Sequence, residues 1–258
     1  NGLASSSALT TGNTGIETIA VATAGTNTFT VTGNTAAATD STTLTITGAG
    51  NNTITVAALA TTSNINASAA TGTNTINVGA GLTTNDTVTG GTGADTLRAT
   101  TAGAATGVRV SGIETLRVSE GSTGNVIFAA APNFSTIRVD SSALGGATTT
   151  NALFNTVGSA ANISYIGDSS AVAANTAAAG VFGALTLNTA YTGSADTVAL
   201  SVNNGGVAKD AGVGFATGVL TANGIETLNV TVADVTATAA YTPGGFTSNT
   251  LQAISFTT

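Results

Sequence analysis

Short strand-forming segments of one pattern recur along the first part of this chain: Asn27-Thr28-Phe29-Thr30-Val31, Asn52-Thr53-Ile54-Thr55-Val56, Asn74-Thr75-Ile76-Asn77-Val78, Asp86-Thr87-Val88-Thr89 and Asp95-Thr96-Leu97-Arg98. Ile54, Ile65 and Ile76 follow one another at eleven residues, and Val88 and Leu97 at nine. Alternation with period two puts Thr on one face of each strand and the apolar residues on the other. One such strand cannot bury its apolar face alone. A chain that repeats strand and turn at so short a step buries it against neighbouring repeats, as solenoids do. The pattern predicts an all-β chain, a parallel β-solenoid of the β-helix or β-roll kind. Each strand is expected to form one rung, and the rungs are irregular and rich in Thr, Ala, Gly and Asn.

The side chains available suit a thin stack. The chain is 42 % hydrophobic but only 4 % aromatic, with no Trp, so its core must be built from small and β-branched residues. Its 258 residues suffice for a sizeable core. Pro132 and Pro243 are the only prolines that could interrupt strand pairing. Ala171–Ala179 is the one Ala-rich stretch, and it predicts a short turn of helix at most. Phe154–Val157 and Ile163–Ile166 read as strands.

Charge is scarce. Twelve acidic and five basic residues give a net charge of −7, which offers no basic groove for a phosphate backbone and argues against nucleic-acid binding. No apolar run is long enough to insert in a membrane as a helix. Cysteine is absent, which rules out a disulfide framework and suits an exported protein. Methionine is absent too, so Asn1 is expected to lie inside a longer or processed chain. With no His, no Cys and Lys209 as the sole lysine, imidazole, thiolate and nearly all amine chemistry is missing. Paired carboxylates could still hydrolyse glycosides, but Tyr165, Tyr191 and Tyr241 are too scattered to form a sugar platform. The expectation is that the chain is not an enzyme.

A tetrapeptide punctuates the chain: Gly15-Ile16-Glu17-Thr18, Gly112-Ile113-Glu114-Thr115 and Gly224-Ile225-Glu226-Thr227, each followed by an alternating strand. Two copies lie downstream of an acidic glycine turn, Gly90–Asp95 before Glu114 and Gly193–Asp196 before Glu226. This suggests modules at 1–81, 82–190 and 191–258. The three glutamates are expected as polar side chains at rung edges, with a role as ligand or hydrogen-bond partner of a nearby turn as the alternative. Arg98, Arg109, Arg117 and Arg138 lie in strand-like segments, as surface charges or as contacts to an acidic neighbouring subunit. The Thr-x-Thr runs superficially resemble ice-binding solenoids, but their spacing along the chain is irregular.

Residues Gly90-Gly91-Thr92-Gly93-Ala94-Asp95-Thr96-Leu97-Arg98 match the nonapeptide Gly-Gly-x-Gly-x-Asp-x-apolar-x at every specified position. Glycines can aim carbonyl oxygens inward and the Asp adds a carboxylate, while Ca²⁺ takes six to eight oxygens. Gly81–Thr89 is a degenerate copy that keeps Asn85 and Asp86. The two turns are expected to lie one rung apart and share a calcium ion. The candidate ligands are Gly90, Gly91, Gly93 and Asp95 with Asn85 and Asp86, and Asp196 more weakly.

The nonapeptide resembles the RTX (repeats-in-toxin) proteins exported by type I secretion. Together with Gly107–Val118, which includes the central Gly-Ile-Glu-Thr, it is similar to the RTX-type surface-layer proteins of Gram-negative bacteria. That resemblance covers about thirty residues. It implies a secreted, structural S-layer protein that self-assembles with neighbouring subunits into a calcium-dependent two-dimensional lattice at the cell surface. It also implies attachment to lipopolysaccharide through a region outside this sequence. A repeat segment of an RTX adhesin is the alternative.

Overall fold

The computed structural model describes residues 7–10, 18–32, 41–57, 62–79, 81–99, 104–118, 125–130, 132–140, 152–157, 162–166, 181–182, 185–189, 191, 193–203, 215–217, 219–233, 241–242 and 245–257. These residues are all-β, a solenoid of parallel strands. Two compact units divide the chain, residues 1–116 with 126–134 and residues 117–125 with 135–258. The glycine turns at 90 and 193 fall inside these units, not at their edges. The Ala-rich stretch 171–179 lies outside the described residues, as do Glu17 and Lys209.

In the first unit the strands are β1 (Ser7–Thr10), β2 (Thr18–Thr23), β3 (Thr26–Thr32), β4 (Ser41–Gly48), β5 (Asn51–Ala57), β6 (Thr62–Ala70), β7 (Asn74–Gly79), β8 (Thr87–Thr89), β9 (Thr96–Ala99) and β10 (Ala104–Ser111). β11 (Thr115–Val118) begins in this unit, and most of β12 (Asn125–Phe128) belongs to it. Odd-numbered strands pair in one sheet, β1-β3-β5-β7-β9-β11, and even-numbered strands in the other, β2-β4-β6-β8-β10-β12. Consecutive strands therefore do not pair with each other. Phe29 stands opposite Ile54, Ile54 opposite Ile76 and Ile76 opposite Leu97, so one coil takes 21 to 25 residues. The eleven-residue step is a half-coil, which corrects the expectation of one strand per rung. Each sheet has a single apolar face, and that face is covered only by a second sheet opposite it. Ile54 and Ile65 accordingly belong to different sheets.

The core is two sets of apolar columns. Phe29, Ile54, Ile76 and Leu97 come from one sheet, and Ile19, Leu44, Ile65 and Val88 from the other, all buried. At about 25 cal/mol per Å² of apolar surface removed from water, burial of such side chains is the main stabilising term. Phe128 and Phe134 pack edge to face at 5.8 Å between ring centroids. On the outward side Thr28, Thr53, Thr75 and Thr96 stand in register. Their irregular spacing in sequence is absorbed by the turns. The second outward column holds Thr30 and Thr55 but continues as Asn77 and Arg98, so the pair of hydroxyl rows is not sustained.

The second unit is wound differently. Its strands are β13 (Thr136–Asp140), β14 (Ala152–Val157), β15 (Asn162–Ile166), β16 (Val181–Phe182), β17 (Leu185–Thr189), β18 (Thr197–Asn203), β19 (Phe215–Thr217), β20 (Leu220–Ala222), β21 (Thr227–Ala233), β22 (Tyr241–Thr242), β23 (Phe246–Thr247) and β24 (Ala253–Thr257). They form the sheets β13-β15-β18-β21-β24, β14-β17-β20-β23 and the short β16-β19-β22. From β15 onward each coil has three strands. Its length runs from 37 residues (Ile163 to Leu200) to 30 (Leu200 to Val230) and 26 (Val230 to Phe256). The strands expected at 154–157 and 163–166 are β14 and β15.

Candidate functional site: a polar column along one edge

In the first unit each coil of the first sheet is entered through a polar residue followed by Thr and an apolar residue. The polar residue is Asn27, Asn52, Asn74, Asp95 and then Glu114. Asn27 and Asn52 are in register, as are Asn52 and Asn74. Asn27, Asn52, Asn74 and Asp95 are buried. A buried amide is stable only when its donors and acceptors are satisfied, and here they satisfy one another. Asn27 Nδ2 donates to Asn52 Oδ1 at 3.0 Å, Asn52 Nδ2 to Asn74 Oδ1 at 2.7 Å, and Asn74 Nδ2 to Asp95 Oδ1 at 3.0 Å. Asn52 Nδ2 also reaches Gly50 O at 2.9 Å and Thr23 Oγ1 at 3.1 Å, and Asn74 Nδ2 reaches Gly72 O at 3.0 Å. Stacked Asn side chains of this kind form ladders that run along a parallel sheet.

Donation runs in one direction, and Asp95 is where it ends. Its Oδ1 accepts both the Asn74 backbone N–H, at 2.6 Å, and the Asn74 side-chain amide. Its Oδ2 accepts the N–H of Gly91. The next coil adds the remaining link, as the Asp95 N–H donates to Glu114 Oε2 at 2.7 Å and the Asp95 carbonyl accepts from the Glu114 and Thr115 N–H groups. The second unit repeats the arrangement. Asp196 accepts the Gly193 N–H at 2.8 Å, and its own N–H donates to Glu226 Oε2 at 2.8 Å. Its carbonyl accepts from the N–H groups of Glu226 and Thr227. The Glu226 carbonyl in turn accepts from the Gln252 and Ala253 N–H groups. The Gly-Ile-Glu-Thr glutamates at 114 and 226 thus take the hydrogen-bonding role that the sequence offered as an alternative. Tyr191 is buried beside Asp196, and burial together with that negative charge pushes its hydroxyl up to about 12.

The glycines of the nonapeptide are explained by the close approach of neighbouring coils. A Cβ on Gly91 would lie 2.1 Å from Ala70 O, one on Gly93 2.4 Å from Gly72 O and one on Gly90 1.8 Å from Gly112 O. All three obstacles are backbone atoms that a side chain cannot push aside.

Asn85 and Asp86 lie elsewhere. β8 and β9 belong to opposite sheets, so the turn before each strand sits on the opposite edge of the coil. Asp86 and Asp95 are therefore not one rung apart on one edge, as the sequence suggested. They are half a coil apart, because the nine-residue step from one to the other spans one strand and one turn. Asp86 is 1 % exposed. Its Oδ1 accepts the Ser63 N–H at 2.8 Å, and its Oδ2 accepts the Thr83 N–H at 2.6 Å and the Thr83 hydroxyl at 2.9 Å. Burial raises its pKa above the ordinary carboxylate value, and these hydrogen bonds only partly oppose the shift. Asn85 has φ 70°, a left-handed conformation that Asn tolerates in turns.

A calcium cage needs six to eight converging oxygens. The carboxylates of Asp86, Asp95 and Asp196 each face N–H donors. Among the described residues no three Asp or Glu side chains come together to hold a metal ion. The arrangement as it stands does not fit the ion. No known protein family, curated protein or solved structure matches this chain. No helix among the described residues is long and apolar enough to cross a membrane.

The column was open to discovery from sequence. The residue before each Thr-apolar pair is Asn, Asp or Glu in every coil from Asn27 to Glu114, and again at Asp196 and Glu226. Those positions line up only at the coil length of 21 to 25 residues.

Proposed function

We propose that this chain is a structural segment of an extracellular bacterial surface assembly, a self-associating β-solenoid of surface-layer type. One observation carries the reading: Asp95 with Glu114, and Asp196 with Glu226, make the same coil-to-coil link in both units. Acidic groups that could do chemistry are spent on holding successive coils together. The outward faces carry hydroxyl and amide rows such as Thr28, Thr53, Thr75 and Thr96, which suit broad lateral packing more than capture of a small molecule. The resemblance to RTX-type surface-layer proteins adds type I secretion and attachment to lipopolysaccharide. Assembly in this proposal is not routed through calcium, because the donors around the three aspartates do not suit it. Negative-stain electron microscopy of the purified protein is the test. Flat periodic sheets are expected. Isolated particles or unbranched filaments at every concentration would remove the lattice reading and favour an adhesin stalk.

A further inference from the structure

We propose that the Gly-Gly-Thr-Gly-Ala-Asp turn of residues 90–95 is closed by N–H donors instead of calcium, with Asp95 as the acceptor terminus of the asparagine column. The turn has the sequence of a calcium loop, but its polar atoms are arranged for a different partner. Asp95 offers about four lone-pair positions, and three N–H groups already point at them: Asn74 N–H, Asn74 Nδ2–H and Gly91 N–H. A cation placed there would meet the positive ends of all three dipoles. The neighbouring carbonyl oxygens are engaged as well. Ala70 O accepts from the Thr92 N–H, Ser111 O from the Gly90 N–H, and Asp95 O from Glu114 and Thr115.

The register makes the same point independently. The slot that Asp95 fills is held by Asn27, Asn52 and Asn74 in the three preceding coils, where neutral amides are satisfied by hydrogen bonds to one another. An Asp is required in the fourth coil for a local reason. Its Oδ2 receives the Gly91 N–H, and an Asn in the same pose would set its own NH₂ against that donor. An Asn column that must stop at an N–H-rich glycine turn therefore ends on a carboxylate. Asp196, which accepts the Gly193 N–H and links to Glu226, closes its own glycine turn in the same way in the second unit.

The test is thermal melting of the full chain, wild type and Asp95→Asn, followed by circular dichroism in excess calcium chloride and in EDTA. The wild-type midpoint is expected to be the same in both. Asp95→Asn is expected to melt roughly 2–8 °C lower, from one buried bond exchanged for facing donors, and by an equal amount with or without calcium. A rise with calcium common to both proteins places an ion elsewhere and leaves the proposal intact. A calcium-dependent rise in the wild type that Asp95→Asn lacks would overturn it. Should that variant not fold, Asp95→Ser takes its place: a calcium response equal in wild type and variant supports the proposal, and one that the wild type shows and Asp95→Ser lacks refutes it. Sheet formation in the microscope is a separate outcome, so failure of the lattice reading is distinguishable from failure of this one.

Discussion

Replacing Asn52 by Asp changes one buried NH₂ into an oxygen at almost no cost in shape. Asn52 is 3 % exposed and is both acceptor and donor in the column. Its Oδ1 receives Asn27 Nδ2 at 3.0 Å, a bond that Asp keeps. Its Nδ2 hydrogens are shared among Asn74 Oδ1, Gly50 O and Thr23 Oγ1, and Asp loses all of these. Thr23 retains a partner, because its hydroxyl also donates to Thr47 O. Asn74 Oδ1 and Gly50 O are left facing a carboxylate oxygen at the positions where they met a donor. Two orphaned acceptors and an unpaired buried charge give a loss of about 3–5 kcal/mol at neutral pH. For a chain of this size that is a midpoint lowered by roughly 6–20 °C. The deficit depends on pH. The new carboxyl sits among acceptors in the fold, so its folded pKa is raised above the unfolded one. Stability is then retained below the ordinary carboxyl range, where the protonated acid can donate to Asn74, and is lost as pH rises through the folded pKa. Asn52→Ala removes the same bonds without adding charge, and its deficit should not change with pH. Melts of all three proteins at acid and neutral pH decide the matter. An Asp variant as stable as wild type at neutral pH, or one whose deficit grows on acidification, would falsify the ladder.

Two further outcomes follow from the core and the opposite edge. Ile54→Ala opens a cavity in a fully buried column and should cost about 2–5 kcal/mol in denaturant unfolding, whereas the adjacent outward Thr53→Ala should stay within about 0.5 kcal/mol. Equal costs at the two positions would mean that the inward and outward faces are misassigned. Asp86 has its pKa raised by burial, so its contribution to stability is present below the ordinary carboxylate value and fades as pH rises through the raised one. The advantage of wild type over Asp86→Asn should therefore be larger at acid than at neutral pH in paired melts. An advantage that widens toward neutral pH would contradict the burial argument.

Strand positions were legible in the chain because they are local. Polar and apolar residues alternate at 28–31, 53–56 and 75–78, and each run is preceded by Asn. That alternation alone assigns Phe29, Ile54, Ile76 and Leu97 to the inside and Thr28, Thr53, Thr75 and Thr96 to the outside, as the structure has them. The Gly-rich turn at 90–95 was legible as a turn for the same reason, although its partners were not.

Pairing was decided only by the tertiary structure. A period of two says which way a side chain points but not which strand lies beside it. In the first unit that choice is made by the need to cover each sheet's apolar face with another sheet. The result is a coil of 21 to 25 residues where the sequence suggested eleven. Three strands per coil from β15 onward are a different solution to the same need, with a third strand as short as Val181–Phe182. The column from Asn27 to Glu114 depends on that coil length. Its members are neighbours only because whole coils intervene between them in sequence, and the same winding sends Asp86 to the far edge from Asp95. Alternation and turn residues act over a few positions, so the sequence could declare the strands. Burial of apolar faces acts across the whole coil, so only the folded chain could say which polar side chains meet.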